Sequence, residues 1–314
     1  MPSDLKLPII DLSSPEKIST SRLIRQACLD HGFFYLTNHG VSEELMERVF
    51  TESKNLFSLP LDDKIVMSRR GLRGYSPLHD EKFSTTAQGD SKEMFTFGSS
   101  EGVLGQLYPN KWPSQELLPL WRPTMESYYK NVVDAGRKLL GLVALALNLE
   151  QNFFERVGAF NDQAAVVRLL RYSGELNSYE EETCGASPHS DFGMITLLAT
   201  DGVPGLQVCR DKDKEPNVWE DVPGIKGAFV VNIGDLMERW TNGLFRSTMH
   251  RVLSVGKERY SVAVFLDPDP NCVVECLESC CSETSPPRFP PVRTRDYFHD
   301  RFSQSLTSYS STSG

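Results

Sequence analysis

His189-Ser190-Asp191-Phe192-Gly193-Met194-Ile195-Thr196-Leu197-Leu198 joins a candidate metal-ligand pair to a short, apolar, branched run. Residues two apart on an extended chain project from the same face, so the His189 imidazole and the Asp191 carboxylate can bind one ion together. With six histidines in the chain, a lone H-x-D carries little weight. The run it introduces is one of six of its kind, at 166–170, 194–198, 206–208, 229–233, 252–255 and 260–265. Glycine, proline and charge separate them. Many short strands at such spacing predict an antiparallel sandwich or barrel such as a jelly roll.

Upstream the texture changes. Residues 7–12 read as a short strand with a proline at its edge. Leu23, Ile24, Ala27 and Cys28 have helical spacing, and Gly32 stops that helix before the strand-like 33–36. Ser42 is placed to cap a further helix whose apolar face holds Leu45, Val49, Leu56 and Phe57. Residues 68–114 lack periodicity and read mostly as loop with short extended pieces. Trp121, Met125, Tyr128, Val132, Leu139, Val143 and Leu147 recur every three or four residues, which predicts a long helix packed along one side. Tyr297 and Phe302 lie in a predicted short helix, followed by a frayed Ser/Thr-rich tail.

Bulk properties narrow the function. A net charge of -9 over 314 residues leaves no basic face for nucleic acid. No apolar stretch approaches the length of a membrane span, and residues 1–4 lack the features of a signal peptide, so a cytoplasmic protein is expected. Seven cysteines without a secretory signal read as reduced thiols. Cys272, Cys276, Cys280 and Cys281 are crowded, but they lack the paired knuckles of a structural zinc site and read as exposed loop thiols.

A third ligand candidate, His250, opens the 252–255 run. Two imidazoles and one carboxylate leave open positions on a metal, which suits non-haem Fe(II) and O₂. Zinc is the competitor, but the arrangement is not the helical H-E-x-x-H of a hydrolase. Arg259 and Ser261 share one face of the next run, where a guanidinium and a hydroxyl can grip a carboxylate. His39 reads as a locally hydrogen-bonded turn residue, and Trp219 and Trp240 as core.

H-x-D, about 58 residues, H, about nine residues and R-x-S together make a far more specific pattern than any part. In that order, and with Gly32-Phe33-Phe34-Tyr35-Leu36-Thr37-Asn38-His39-Gly40-Val41 and Val231-Asn232-Ile233-Gly234-Asp235, the chain resembles the plant-type 2-oxoglutarate and Fe(II)-dependent dioxygenases, a superfamily that includes isopenicillin N synthase. The resemblance covers nearly the whole chain. It implies a mixed α/β, mainly β fold: a distorted double-stranded β-helix (jelly-roll) core buttressed by helices. The expected divisions are an N-terminal region at 1–115, a long supporting helix within 116–160, the catalytic core at 161–285 and a C-terminal segment at 286–314.

The resemblance further implies Fe(II) held by His189, Asp191 and His250, and 2-oxoglutarate gripped by Arg259 and Ser261 with Tyr172 beside it. O₂ would be the oxidant and ascorbate the reductant. The expected reaction is oxidation, chiefly hydroxylation, of a small-molecule metabolite, coupled to decarboxylation of 2-oxoglutarate to succinate and CO₂. A monomer is expected. The alternatives are an Fe(II) oxidase of the same fold that dispenses with 2-oxoglutarate, and a non-catalytic ligand-binding relative. Leu170-Arg171-Tyr172-Ser173 departs from the usual Asn-Tyr-Tyr-Pro, and the longer stretch from Tyr172 to His189 suggests a different loop at the pocket mouth.

Overall fold

A computed structural model describes residues 6–81, 90–174, 184–209 and 217–305. Its strands are β1 (Ile9–Asp11), β2 (Phe33–Thr37), β3 (Gly74–Ser76), β4 (Lys92–Gly98), β5 (Val166–Tyr172), β6 (Cys184–His189) and β7 (Ile195–Thr200). They continue with β8 (Leu206–Cys209), β9 (Trp219–Asp221), β10 (Phe229–Ile233), β11 (His250–Leu253), β12 (Arg259–Leu266), β13 (Val273–Val274) and β14 (Val292–Arg293). The helices are α1 (Lys17–Asp30), α2 (Glu43–Phe57), α3 (Leu61–Ile65), α4 (Gly102–Leu107), α5 (Trp121–Ala146), α6 (Phe153–Arg156), α7 (Asp235–Trp240) and α8 (Thr294–Ser305).

Eight strands in the order β1-β2-β10-β7-β12-β5-β4-β3 form the main sheet, antiparallel except for the β1–β2 pair. Facing it is a smaller sheet, β6-β11-β8-β9. The two sheets are the expected double-stranded β-helix, and the alternation along β12 shows why they enclose a cavity. Tyr260, Val262, Val264 and Leu266 belong to the large core shared with α5, while Ala263 joins a second apolar cluster between the sheets. Arg259, Ser261 and Phe265 share the inward face with Ala263 because the side-chain period of a strand is two.

The long helix forms as its apolar spacing predicts, with Trp121, Met125, Tyr128, Val132, Leu139 and Val143 all buried. Gly136 lets it lie close to β12, since a Cβ there would come within 2.7 Å of the Leu266 side chain. Ser42 caps α2 by accepting a hydrogen bond from the Leu45 amide. Gly32 closes α1 at φ +66°, and a Cβ at that position would collide with the Arg246 carbonyl oxygen.

The structure departs from the sequence expectations at several places. Within 68–114, β4 is a seven-residue strand buried along its whole length, and β3 and α4 also form there. Its Lys92, Glu93 and Thr96 disguise it as loop, yet each charge has a buried partner distant in sequence. Glu93, for example, receives Lys64 Nζ at 2.9 Å and the Tyr75 hydroxyl at 2.5 Å. Leu23 faces solvent although α1 buries Ile24, Ala27 and Cys28. The strand expected at 252–255 starts earlier, at His250, and ends at Leu253. Trp240 is core, packed against Phe154, whereas Trp219 sits half-buried on β9 beneath the Arg251 guanidinium. The expected pocket-mouth loop falls largely on 175–183 and the frayed tail on 306–314, both outside the described residues.

Candidate active site

β6 and β11 pair with His189 directly opposite His250, and the turn after β6 carries Asp191 back toward both. His189 Nε2 lies 3.9 Å and His250 Nε2 3.8 Å from the same oxygen, Asp191 Oδ1. Each imidazole is oriented from behind. His189 Nδ1–H donates to the Ser187 carbonyl at 2.7 Å, and His250 Nδ1–H donates to the Thr248 carbonyl at 3.1 Å. Those bonds turn both Nε2 lone pairs toward a shared metal position. The other Asp191 oxygen, Oδ2, accepts from the Thr196 hydroxyl at 2.6 Å and from Asn232 Nδ2 at 2.8 Å. Oδ1 is thus presented to the ion while Oδ2 is tethered.

Electrostatics prepare the same set for a cation. Burial, reinforced by the neighbouring His250, pushes the His189 imidazole down to about 4, so it is neutral at physiological pH. Burial works to raise the Asp191 carboxyl, but the two imidazoles and the hydrogen bonds from Thr196 and Asn232 outweigh it and hold it below the usual range. Among the described residues, this is the one group of three or more His, Cys, Asp or Glu side chains close enough to share a metal. Cys272, Cys276, Cys280 and Cys281 are unbridged and half-buried rather than exposed, and they form no such group.

Arg259 and Ser261 lie at one end of the β12 inner face, 2% and 1% exposed. Arg259 Nε donates to the Val203 carbonyl at 3.2 Å, and its guanidinium lies 4.9 Å from the centre of the Tyr172 ring. Arg259 Nη1 and Ser261 Oγ have no hydrogen-bond partner among the described residues. Buried polar atoms seldom remain so, and a guanidinium beside a hydroxyl is suited to a carboxylate. The donor set therefore fits both Fe(II) and a keto acid. His39 stands apart from all of this, its ring nitrogens bonded to the Gly227 carbonyl and the Val41 amide.

Two family models match the chain: the N-terminal region of non-haem dioxygenases in morphine synthesis over residues 7–115, and the 2OG-Fe(II) oxygenase superfamily over 164–268. Kihadalactone A synthase of Citrus sinensis is 41% identical over 310 residues, covering 95% of this chain and 92% of that one. The chain belongs to the 2OG-Fe(II) oxygenase superfamily. Azadirone synthase of Melia azedarach, at 39% identity over 95% and 92% of the two chains, is a further plant relative. A full-length Neurospora crassa protein solved in complex with alpha-KG superposes with a TM-score of 0.84 at 26% identity, over 96% of this chain and 97% of the other. As a member of this superfamily the protein is an oxidoreductase that uses Fe(II), 2-oxoglutarate and O₂ on a small molecule.

The rest of this oxygenase's cavity escaped the sequence reading. Beyond the metal ligands its wall holds Val166, Phe192, Phe265, Phe298 and Phe302, an apolar lining. Phe192 and Phe302 meet edge to face at 5.4 Å, and the Arg301 guanidinium lies 4.5 Å from the Phe192 ring centre. Arg301 Nη2 also reaches Ser190 Oγ at 3.4 Å, so α8 closes directly on the residues flanking Asp191. Four charged groups line the same space. Arg168 Nη1 pairs with Glu81 Oε1 at 3.2 Å, Lys92 Nζ reaches Glu81 Oε2 at 2.8 Å, and Asp267 lies nearby. Burial opposes ionisation of Glu81, but Lys92 and Arg168 hold its carboxyl down at about 2. Burial and the Asp191 charge instead push Asp267 up to about 7, against Arg168. Asn232 and Thr196 left one signal, a polar residue on the inward side of an otherwise apolar run.

Proposed function

We propose that this oxygenase hydroxylates an apolar metabolite of plant specialised metabolism, with Fe(II) on His189, Asp191 and His250 and the distal carboxylate of 2-oxoglutarate on Arg259 and Ser261. The observation that carries this reading is the layout of the β12 inner face. Arg259 Nη1 and Ser261 Oγ, without partners among the described residues, stand at one end, and Phe265 stands roughly 20 Å from Arg259 along the strand at a rise of about 3.3 Å per residue. The metal ligands lie in the cavity that Phe265 helps to line. This separation along one strand face supports distinct berths for cosubstrate and substrate.

Bound iron supplies activation of O₂ coupled to decarboxylation of the keto acid, yielding succinate and CO₂. The chain's own residues orient and exclude. Arg259 and Ser261 hold the cosubstrate by a charge-assisted contact, and Tyr172 packs against the Arg259 guanidinium to keep it in place. Phe192, Phe265, Phe298 and Phe302 seat an apolar substrate body and keep water from the attacked C–H bond. The two plant relatives are named for making kihadalactone A and azadirone, which supports a metabolite of that kind as substrate. A cytosolic monomer completes the proposal, its reducing compartment supported by seven cysteines that are all unbridged.

Anaerobic titration of the Fe(II)-loaded protein with 2-oxoglutarate tests this reading. A weak visible charge-transfer band that is lost in Arg259→Ala and His250→Ala is expected. Bound iron without a band would transfer the assignment to an oxidase independent of 2-oxoglutarate. Succinate release across a panel of plant metabolites then identifies the substrate.

A further inference from the structure

Lys92 is a lysine inside a sheet, its side chain 3% exposed. Its ammonium sits between two carboxylates, 2.8 Å from Glu81 Oε2 and 2.8 Å from Asp90 Oδ2. Both acids are as buried as the lysine, their side chains 2% and 1% exposed. Burying such a group carries a desolvation penalty for every ion in it, and apolar residues of similar volume often serve stability equally well. The location of the cluster suggests what it does.

Asp90 precedes β4 on the main sheet, yet its other oxygen crosses to the smaller sheet. Oδ1 accepts from the Ser187 amide at 3.0 Å and from the Ser187 hydroxyl at 2.6 Å. Ser187 is the residue whose carbonyl takes the Nδ1–H of His189 at 2.7 Å. A continuous series of contacts therefore runs Lys92, Asp90, Ser187, His189. In the other direction it continues through Glu81 to Arg168, whose Nε donates to Thr96 Oγ1 at 3.3 Å. Asp90 holds Ser187 at two points, so the carbonyl that sets the plane of the His189 ring has little freedom to turn.

We propose that Asp90, held by Lys92, is a positioning residue for the iron site: it clamps Ser187 so that His189 presents Nε2 to the metal at the correct angle. The buried ion cluster is retained for the geometry of a ligand that Asp90 reaches through Ser187. Outer partners of a metal-bound histidine commonly alter metal affinity by about 10- to 100-fold when removed, and Asp90 acts one link further out, through Ser187. The lower end of that range is expected.

This inference rests on His189 being an iron ligand, and the experiment separates the two claims. Co(II) serves as the probe, its Kd measured by calorimetry and its coordination by the visible d–d spectrum, in wild type, Asp90→Asn, Ser187→Ala and His189→Ala. Ser187→Ala removes only the hydroxyl link and leaves no charge bare, so it reads out even if Asp90→Asn does not fold. The expected result is Co(II) binding about 10-fold weaker in Ser187→Ala and Asp90→Asn, with an altered d–d spectrum. Folded variants with unchanged Kd and spectrum, even if they melt earlier, overturn the positioning role and leave Asp90 as a structural group. Unchanged Co(II) binding in His189→Ala overturns the ligand assignment and this inference together.

Discussion

Ser261→Ala is expected to move stability and affinity in opposite directions. The Ser261 hydroxyl is 1% exposed and has no partner among the described residues. A buried hydroxyl left unpaired costs about 1–3 kcal/mol, and part of that returns when the oxygen is deleted, less the small void it leaves. The net expectation for the protein without cosubstrate is a gain of about 1 kcal/mol, or about 2 °C in Tm for a chain of this size. The cosubstrate loses a hydrogen bond to its charged carboxylate, worth about 1.5–3 kcal/mol. That corresponds to about 10- to 100-fold in Kd for 2-oxoglutarate, since about 1.4 kcal/mol is tenfold. Denaturant melts of the metal-free protein give the first quantity, and the anaerobic charge-transfer titration gives the second. Undiminished affinity for 2-oxoglutarate in the variant would refute the carboxylate grip. A loss of stability with affinity intact would make Ser261 an ordinary packing residue.

His189→Ala and His250→Ala should each abolish stoichiometric iron binding, measured by metal analysis after anaerobic loading. Asn232→Leu removes one of the two tethers on Asp191 Oδ2 and should weaken Fe(II) binding by about 10- to 100-fold, read by competition with a chelator. Asp267 has a carboxyl raised from about 4 to about 7, so folding favours its protonated form. Its stabilising contribution is full below about pH 4 and is lost as the pH rises through about 7. Asp267→Asn should therefore melt about 2–4 °C above wild type near pH 8 in the metal-free protein, with the difference shrinking toward about pH 5. Phe302→Ala opens the apolar side of the cavity and should raise succinate formed per substrate oxidised while leaving the 2-oxoglutarate band unchanged; tight coupling in that variant would remove α8 from the site.

What could be read from the sequence was what repeats or keeps a fixed spacing. His189 and Asp191, two apart, and Arg259 and Ser261, two apart, declared their faces because a strand alternates. The stripe from Trp121 to Leu147 declared a helix in the same way. β4 stayed hidden because Lys92 and Thr96 on its cavity face are polar and Glu93, buried on the opposite face with Phe95 and Phe97, is charged. Beside the neighbouring Asp90, their compensation comes from Glu81, Lys64 and Arg168, which the fold brings near. Asn232 and Thr196 were in plain view within apolar runs, but only the position of Asp191 shows what they hold. Phe298 and Phe302 are four apart in a segment whose prolines and serines resemble a tail, and nothing local indicates that it returns to the cavity.

That return has a consequence for how such an enzyme changes its substrate over time. The proposed iron ligands and carboxylate grip lie within 164–268, on β6, β11, β12 and the turn after β6, whereas α8 begins at Thr294. The helix is fastened at its root by the Thr294 amide on the Cys272 carbonyl and the Arg295 amide on the Pro270 carbonyl, just beyond β12. Mutations in a terminal helix can reshape the ceiling over the reacting carbon while leaving the oxidising apparatus and its cosubstrate untouched. Selectivity is thereby free to drift apart from chemistry, and grafting residues 286–305 from one relative onto another is the most direct way to transplant it.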